Sequence, residues 1–102
     1  METFKVLYED EAYLCHLQDV DGRAFFHSKV KKDLSLSDVK RGRKAFEHIK
    51  KSVEDLGYER LYAITPSPHY AALLGPNHEF IQMVEIEGVP MEMIVWELKQ
   101  HS

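Results

Sequence analysis

The chain has 102 residues, of which 44% are hydrophobic and 29% are charged, and its formal net charge is −4. This balance is typical of a soluble globular domain, and the length is too short for two separate cores. No apolar run approaches the roughly 18 residues of a membrane-spanning helix, and the first residues do not resemble a signal peptide. The single cysteine, Cys15, excludes an internal disulfide. We therefore expect one domain over residues 1–102, a buried inert thiol and a cytoplasmic location without membrane contact.

Positive charge is concentrated in one part of the chain, residues 29–51, which we name the basic segment. It holds nine of the thirteen basic residues and three acidic ones, so its net charge is +6 and that of the remainder is −10. The nine are Lys29, Lys31, Lys32, Lys40, Arg41, Arg43, Lys44, Lys50 and Lys51. Such a patch on an acidic body suits a small polyanion or one specific protein partner. A nucleic-acid partner is less expected, because it usually meets a wholly basic face with interleaved aromatic residues.

The first predicted strand covers Thr3–Glu9. In this stretch Phe4, Val6 and Tyr8 stand at every second position, which is the period-two pattern of a half-buried strand. We therefore expect these three side chains on one face of the sheet.

A hairpin is predicted immediately afterwards. An apolar stretch over residues 12–18 forms its first strand, and the pair Asp21-Gly22 between two apolar runs is the strongest short hairpin signal in the chain. The second strand of the hairpin is then Arg23–Val30.

One long helix is predicted within the basic segment. Ser35, followed three residues later by Asp38, has the form of a capping box with Asp in place of the usual Glu. Apolar residues then recur at helical spacing, and Gly57 ends the helix as its C′ residue. The apolar stripe consists of Leu36, Val39, Phe46, Ile49, Val53 and Leu56.

The rest of the chain is predicted to form three strands and a short helix. Arg60–Thr65 is short and apolar enough to be a central strand. Proline at the first helical position and glycine directly after the last one predict a helix over Pro68–Leu74. A final hairpin pairs Glu79–Ile86 with Val89–Lys99, and Pro90 near the start of the last strand indicates an edge or an irregular entry there.

The predicted order is β-β-β-α-β-α-β-β, an α+β fold in which helices pack on a mixed sheet. This order, with the segment GYERLYAIT followed by a short helix and HEF, resembles the conserved part of the GCN5-related N-acetyltransferase (GNAT) fold. The resemblance covers residues 20–98 and is closest to small divergent acetyltransferase-like proteins of bacteriophages. It implies a truncated GNAT-like domain without the usual first strand and first two helices, and, for a phage protein, the host cytoplasm.

The resemblance also implies where acetyl-coenzyme A would bind. In the family it lies where the third and fourth strands counted here splay apart, and its pyrophosphate contacts a Q/R-x-x-G-x-G/A loop at the helix start. Aligning Gly57 with the family's helix-ending glycine puts Ser37, Lys40 and Gly42 at the three defining positions, and only Gly42 matches. Side chains would then hold phosphate in place of backbone donors. The candidate residues are Ser35, Ser37, Lys40, Arg41, Gly42 and Arg43. The alternative is a solvated basic face, although a helix dipole disfavours cations at this end.

Acetyl transfer also needs an acid for the departing thiolate. The family commonly uses a tyrosine of the short helix, and the alignment puts Ala71 or Leu74 at that position. The candidates that remain, Tyr70 and His69, are chosen by proximity alone. The six histidines of the chain show no HxxxH or HExxH spacing. His69 and His78 could approach one another across the turn between them, but we expect no metal.

Two functions from different classes are compatible with these residues. The first is a non-catalytic protein-binding module that reuses the GNAT-like fold, as a phage protein acting on a host or virion component would. The second is a minimal acetyl-coenzyme A-dependent N-acetyltransferase. The basic segment is the expected contact with a protein partner, and the last hairpin offers a route to a homodimer. Trp96, on the last strand, is expected to pack in the core or at an edge.

Overall fold

The computed structural model describes residues 4–66, 75 and 77–98. Within these ranges one helix packs on a six-stranded sheet, so the fold is a mixed α+β domain. The strands are β1 (Phe4–Glu9), β2 (Tyr13–Val20), β3 (Arg23–Val30), β4 (Arg60–Thr65), β5 (Glu79–Ile86) and β6 (Val89–Glu97), and the helix is α1 (Leu36–Asp55). In this described part no helix combines the length and the apolar character needed to cross a membrane.

The six strands follow one another across the sheet in the order β1-β2-β3-β4-β6-β5. Strands β3 and β4 are parallel and every other neighbouring pair is antiparallel. The predictions of a mixed sheet and of a central position for β4 are therefore confirmed. Strands β1 and β5 form the two edges.

Two tight turns set the antiparallel hairpins. Asp21 and Gly22 have φ angles of 53° and 83°, and Glu87 and Gly88 have 52° and 80°. Positive φ at both central residues is the requirement of a type I′ turn, whose twist matches that of the paired strands. The hairpin predicted at Asp21-Gly22 and the final turn at Glu87-Gly88 are both confirmed.

Strand β1 differs from its prediction at one point. The pairing with β2 shifts within β1, so that Val6 lies opposite His16 while Tyr8 lies opposite Cys15. Because neighbouring residues of β2 point to opposite faces, Val6 and Tyr8 also face opposite sides of the sheet. The prediction of a single shared face was wrong, and Phe4 and Val6 are 54% and 55% exposed.

Helix α1 begins and ends as its sequence predicts. Ser35 is the N-cap: its Oγ accepts from Asp38 N at 3.2 Å, and the Asp38 carboxylate accepts from Ser35 N at 2.9 Å. Leu56 is the C-cap, and Gly57 follows it with a φ of +100°, the left-handed conformation that glycine adopts at C′.

The apolar stripe of α1 is buried only in its middle. Phe46, Ile49 and Val53 are buried against the sheet, whereas Leu36 and Leu56 are 72% and 52% exposed. These two residues lie at the first helical position and at the C-cap, so they belong to the ends of the helix. Small residues in the first half of α1 complete its buried face instead.

An aromatic cluster forms the centre of the core between α1 and the sheet. The ring of Phe46 lies 4.7 Å from that of Trp96 and 5.3 Å from that of Phe26, in edge-on arrangements that aromatic pairs favour. The indole N–H of Trp96 donates to Gly75 O at 2.8 Å. Trp96 is therefore a core residue, as expected.

Three sequence predictions concern the end of the chain. The short helix predicted over Pro68–Leu74 lies outside the described residues, as does Lys99, the predicted end of the last strand. Pro90 pairs with Glu85 of β5, while the pairing of β6 with β4 begins only at Glu92. On the side that faces β4, Pro90 thus lies outside the hydrogen-bonded pairs of the two strands. The absence of a backbone N–H there costs little.

Candidate functional site

Three charged side chains from different parts of the chain meet at the start of α1. Arg41 Nε donates to Asp10 Oδ2 at 2.8 Å, and Arg41 Nη2 donates to Asp38 Oδ1 at 2.8 Å. We name Tyr8, Asp10, Ser35, Asp38 and Arg41 the helix-start cluster. One guanidinium thus joins the turn after β1 to the first turn of the helix.

Asp10 is the hub of this cluster. Its Oδ1 accepts from the backbone N–H groups of Ala12 and Tyr13 at 2.8 and 2.9 Å, and its Oδ2 also accepts from the Tyr8 hydroxyl. The buried hydroxyl of Tyr13 in turn donates to Asp38 O at 2.8 Å. The carboxylate therefore shapes the turn between β1 and β2 and holds it against the helix.

These contacts shift the pKa values of the cluster in consistent directions. Burial raises the pKa of Asp10, but hydrogen bonds from Tyr8 and Arg41 outweigh it and hold the pKa well below its ordinary value. The pKa of Asp38 is also lowered, first by the N–H of Ser35 and then by Arg41. The hydrogen bond to Asp10 raises the pKa of Tyr8, and Asp10 and Asp38 together raise that of Arg41.

The start of α1 therefore has an anion of its own. Asp38 lies in the first turn, where a helix favours negative charge, and its carboxylate accepts the hydrogen bond from Ser35 that an external anion would otherwise receive. Of the residues predicted to hold coenzyme A, Ser35 is the N-cap and Arg41 bridges two carboxylates. Ser37 lies in the first turn, and its hydroxyl is 3.1 Å from that of Ser35.

The one residue that matches the family's phosphate loop lies inside the helix. Gly42 is buried within α1 and lines a cavity of about 10 Å³ together with Tyr13, Cys15 and Phe26. A volume of this size holds at most one water molecule. Gly42 thus packs α1 closely against the sheet.

Five of the nine basic residues of the basic segment lie near carboxylates. Besides Arg41, four of its lysines lie within 4.0 Å of an acidic side chain. The pairs are Lys31–Glu9, Lys32–Asp38, Lys50–Glu47 and Lys51–Glu54, at 2.8, 3.5, 2.8 and 3.8 Å. Lys40 and Lys44 are exposed on α1, and no carboxylate of the described chain lies within 4.0 Å of either. A partner contact at the basic segment stays a prediction, and these two lysines are among its exposed residues.

Strands β3 and β4 pair only at their beginnings. Their register contains two pairs, Ala24–Leu61 and Phe25–Tyr62, although the strands continue to Val30 and Thr65. The rings of Phe25 and Tyr62 stack at 5.3 Å at the last paired position. Beyond it β3 and β4 do not pair with each other, although β3 remains paired with β2 and β4 with β6.

The predicted catalytic residues, His69 and Tyr70, lie outside the described residues. Among the residues that are described, no group of three or more His, Cys, Asp or Glu could hold a metal ion. Cys15 is buried as predicted, and burial raises the pKa of its thiol. A thiol in this environment is mostly protonated near neutral pH and is a poor nucleophile.

The opposite end of the molecule has a different surface. β5 is an edge strand, and the described chain places no strand on its outer side. Phe80, Ile81, Met83 and Ile86 are 55%, 43%, 57% and 43% exposed. We name residues 79–86, with these four side chains, the β5 edge. Natural proteins usually shield an apolar edge of this length, so its exposure is unusual.

The charge of this surface is uniformly negative. From Glu79 to Glu97 the chain has five glutamates and no basic residue. Glu97 accepts from Arg60 Nε at 2.9 Å, across the sheet from β4. The other four, Glu79, Glu85, Glu87 and Glu92, have no basic side chain within 4.0 Å among the described residues.

Sequence reasoning found the β5 edge only in part. The final hairpin and its apolar character were predicted, and pairing with another chain was an expected use. Phe80 and Ile81 were not singled out, because an apolar run without clean alternation is equally typical of a buried strand. The exposure follows from the position of β5 at the end of the sheet order, which local sequence does not specify.

No protein-family model matches the chain, and neither does any curated protein or solved structure. The resemblance to acetyltransferases therefore stays a prediction that rests on the order of the elements and on the motifs quoted above.

Proposed function

We propose that this chain is a non-catalytic protein-binding module whose partner adds an extended segment to the β5 edge. The observation that carries the proposal is the edge strand itself, eight residues long, with Phe80, Ile81 and Met83 exposed. An edge strand presents backbone N–H and C=O groups that a second chain can pair with, and exposed apolar side chains add contact area. Binding by strand addition needs no cofactor and no catalytic side chain.

The charge of the β5 edge favours a different protein over a second copy of this chain. Two copies joined edge to edge would each bring Glu79 and Glu85 of β5, and no basic residue of that strand, to the shared pair of strands. Like charges brought together across strands are destabilising. A homodimer through the last hairpin is therefore the alternative occupant, and the experiment below distinguishes it.

The structural roles of the predicted cofactor residues support the non-catalytic part of the proposal. Arg41 bridges Asp10 and Asp38, and Gly42 is buried in the interior of α1. A phosphate that recruited Arg41 would have to compete with two carboxylates already hydrogen-bonded to it. Withdrawing a charged partner from such a pair leaves the remaining carboxylate poorly compensated.

Site-specific photo-cross-linking in native cells tests this proposal. A photoreactive amino acid is placed at position 83 on the β5 edge or, as the matched control, at position 44 on the exposed face of α1. We expect the position-83 adduct to contain one different protein, with the cross-link mapped by mass spectrometry to a single continuous segment of it. An adduct between two copies of this chain, equal labelling from both positions, or no adduct from position 83 would each contradict the proposal.

A second candidate function is favoured by the short pairing between β3 and β4. The family that the chain resembles binds acetyl-coenzyme A where these two strands splay apart, and here their pairing stops after Phe25–Tyr62. If the chain is a minimal acetyl-coenzyme A-dependent N-acetyltransferase, millimolar acetyl-coenzyme A raises its melting temperature by mass action. The exposed Lys40 and Lys44 would supply charge, so Lys40→Glu should reduce that rise. An unchanged melting temperature excludes this candidate.

A further inference from the structure

The β5 edge combines exposed apolar side chains with carboxylates on the same face. Phe80 lies opposite Ile94, Met83 opposite Glu92, and Glu85 opposite Pro90. Since paired residues share a face, Phe80, Met83, Glu85 and Glu92 all lie on the face that α1 covers elsewhere in the sheet. This face of the β5 edge is therefore apolar at one end and acidic at the other.

At the acidic end, two carboxylates lie near each other without a basic side chain among the described residues to compensate them. Glu85 and Glu92 occupy diagonal positions on this face, which in antiparallel sheets places such residues roughly 7 Å apart. No basic side chain of the described chain pairs with either carboxylate. A cation on a strand added beside β5 would lie next to Glu85, with Glu92 of β6 one strand further away, and would reduce the repulsion between these two carboxylates.

The other face of the same edge is apolar at the end of β5. Val84 lies opposite Met91, and Ile86 lies opposite Val89. Ile86 and Val89 are 43% and 46% exposed, and Val84 is half-buried. At the end of β5, an added strand would therefore meet the carboxylate of Glu85 on one face and the branched side chains of Val84 and Ile86 on the other.

We infer that the partner segment is a cationic strand in which Lys or Arg alternates with apolar residues. Its basic side chains lie on the face of Glu85 and Glu92, and its apolar side chains contact Val84 and Ile86. This inference rests on the proposed function, because it names the chemistry of the segment that the β5 edge binds. Alternation is required since successive residues of a strand point to opposite faces.

The test uses four fluorescently labelled nine-residue peptides and the full-length protein. The probe alternates lysine with valine, and a second peptide has glutamate in place of lysine. The third has the probe sequence with N-methylated backbone amides, which cannot pair as a strand, and the fourth has the lysines and valines in two separate blocks. Binding is measured by fluorescence anisotropy at low and at physiological salt.

We expect the lysine–valine probe to bind about tenfold or more tightly than the glutamate–valine peptide, because lysine beside Glu85 attracts the carboxylate whereas glutamate there repels it. The difference should shrink at higher salt, and the N-methylated and blocked peptides should bind weakly. In the variant E85Q/E92Q, which removes both charges at constant side-chain shape, the preference for lysine should fall to about threefold or less.

Three outcomes would overturn the inference: no binding of the probe, equal binding of the glutamate–valine peptide, or a lysine preference unchanged in E85Q/E92Q. Equal binding of the N-methylated peptide would also overturn it, because the contact would then be charge attraction without strand pairing. These failures are distinguishable from failure of the proposed function. If position 83 cross-links to a different protein but the peptides show no preference for lysine, the β5 edge is still the binding surface. Only the inference that the partner strand is cationic is then rejected.

Discussion

The helix-start cluster and the β5 edge show opposite uses of charge in one small domain. At the helix start, five side chains from β1, the following turn and α1 satisfy one another, and the guanidinium of Arg41 contacts two carboxylates. In the last hairpin, which contains the β5 edge, four glutamates have no basic partner among the described residues, and large apolar side chains are exposed. Five of the nine basic residues in the basic segment are thus paired with carboxylates, while the last hairpin leaves acidic side chains without a basic partner in the described part of the chain. Net charge along a sequence counts charges and does not show which of them are paired.

The largest expected effect comes from breaking the helix-start cluster at its hub. Asp10→Ala removes the acceptor for Arg41, for the Tyr8 hydroxyl and for two backbone N–H groups. We expect a loss of about 3 kcal/mol in the free energy of unfolding, since hydrogen bonds to a charged group each contribute more than about 1 kcal/mol. Urea denaturation measures it.

The matched control is Asp33→Ala, an exposed carboxylate in the loop before α1. Surface substitutions of this kind usually change stability by less than about 0.5 kcal/mol. Equal effects of the two substitutions would show that the cluster contributes nothing specific.

The same cluster makes a pH-dependent contribution. The pKa values of Asp10 and Asp38 are lowered in the folded state, so their ionised forms stabilise the fold above the unfolded-state value of about 3.9. That contribution is lost as the pH falls below about 4 toward the folded-state values. The stability difference between the wild type and Asp10→Asn should therefore be constant above about pH 5 and narrow in more acidic solution.

Thermal unfolding of both proteins between neutral and acidic pH measures this difference. A difference that stays constant to pH 3, or that widens as the pH falls, would be inconsistent with an ionised Asp10 at the centre of the cluster.

A smaller effect is expected at the N-cap. Ser35→Ala removes the side-chain acceptor of Asp38 N and half of the capping box. The expected loss is about 1 kcal/mol. Ser52→Ala, at an exposed interior position of the same helix, should be neutral or slightly stabilising, because alanine has the higher helix propensity. Chemical denaturation of both variants checks the difference, and a Ser52→Ala loss as large as that of Ser35→Ala would contradict it.

The smallest effect on stability is expected at the β5 edge. Met83 is 57% exposed, so Met83→Lys should change the free energy of unfolding by less than about 0.5 kcal/mol. The same substitution should abolish binding in a pull-down with the partner protein that cross-linking identifies, because it places a cation beside the carboxylates that would attract the partner's basic side chains. Lys44→Ala is the control and should leave binding intact. Retained binding by Met83→Lys would argue against the β5 edge.

Much of the fold was predictable because its signals are local. The turns at Asp21-Gly22 and Glu87-Gly88 need positive φ, and the capping box of Ser35 and Asp38 marks the start of α1 within the sequence. Two features were not predictable. The register shift in β1 depends on its pairing with β2, and the exposure of the β5 edge depends on the order of strands across the sheet.

The candidate site was harder to predict than the fold. The basic segment was recognisable as a charge cluster, but Asp10 lies 31 residues before Arg41 and its contact with the guanidinium requires the tertiary structure. The capping aspartate was recognised as a helix signal, and its second role as a partner of Arg41 was not. Which charges remain available to a partner therefore depends on contacts between residues that are far apart in the sequence. The sequence alone does not show these contacts.

Chemical-shift mapping tests the central comparison most directly. The 15N-labelled protein is titrated with a synthetic peptide of the segment identified by cross-linking at position 83. We predict that the backbone amide shifts concentrate in residues 79–86 and that those of residues 35–44 remain unchanged. Shifts concentrated at the start of α1, with β5 unaffected, would contradict the account. They would indicate that the basic segment is the binding surface.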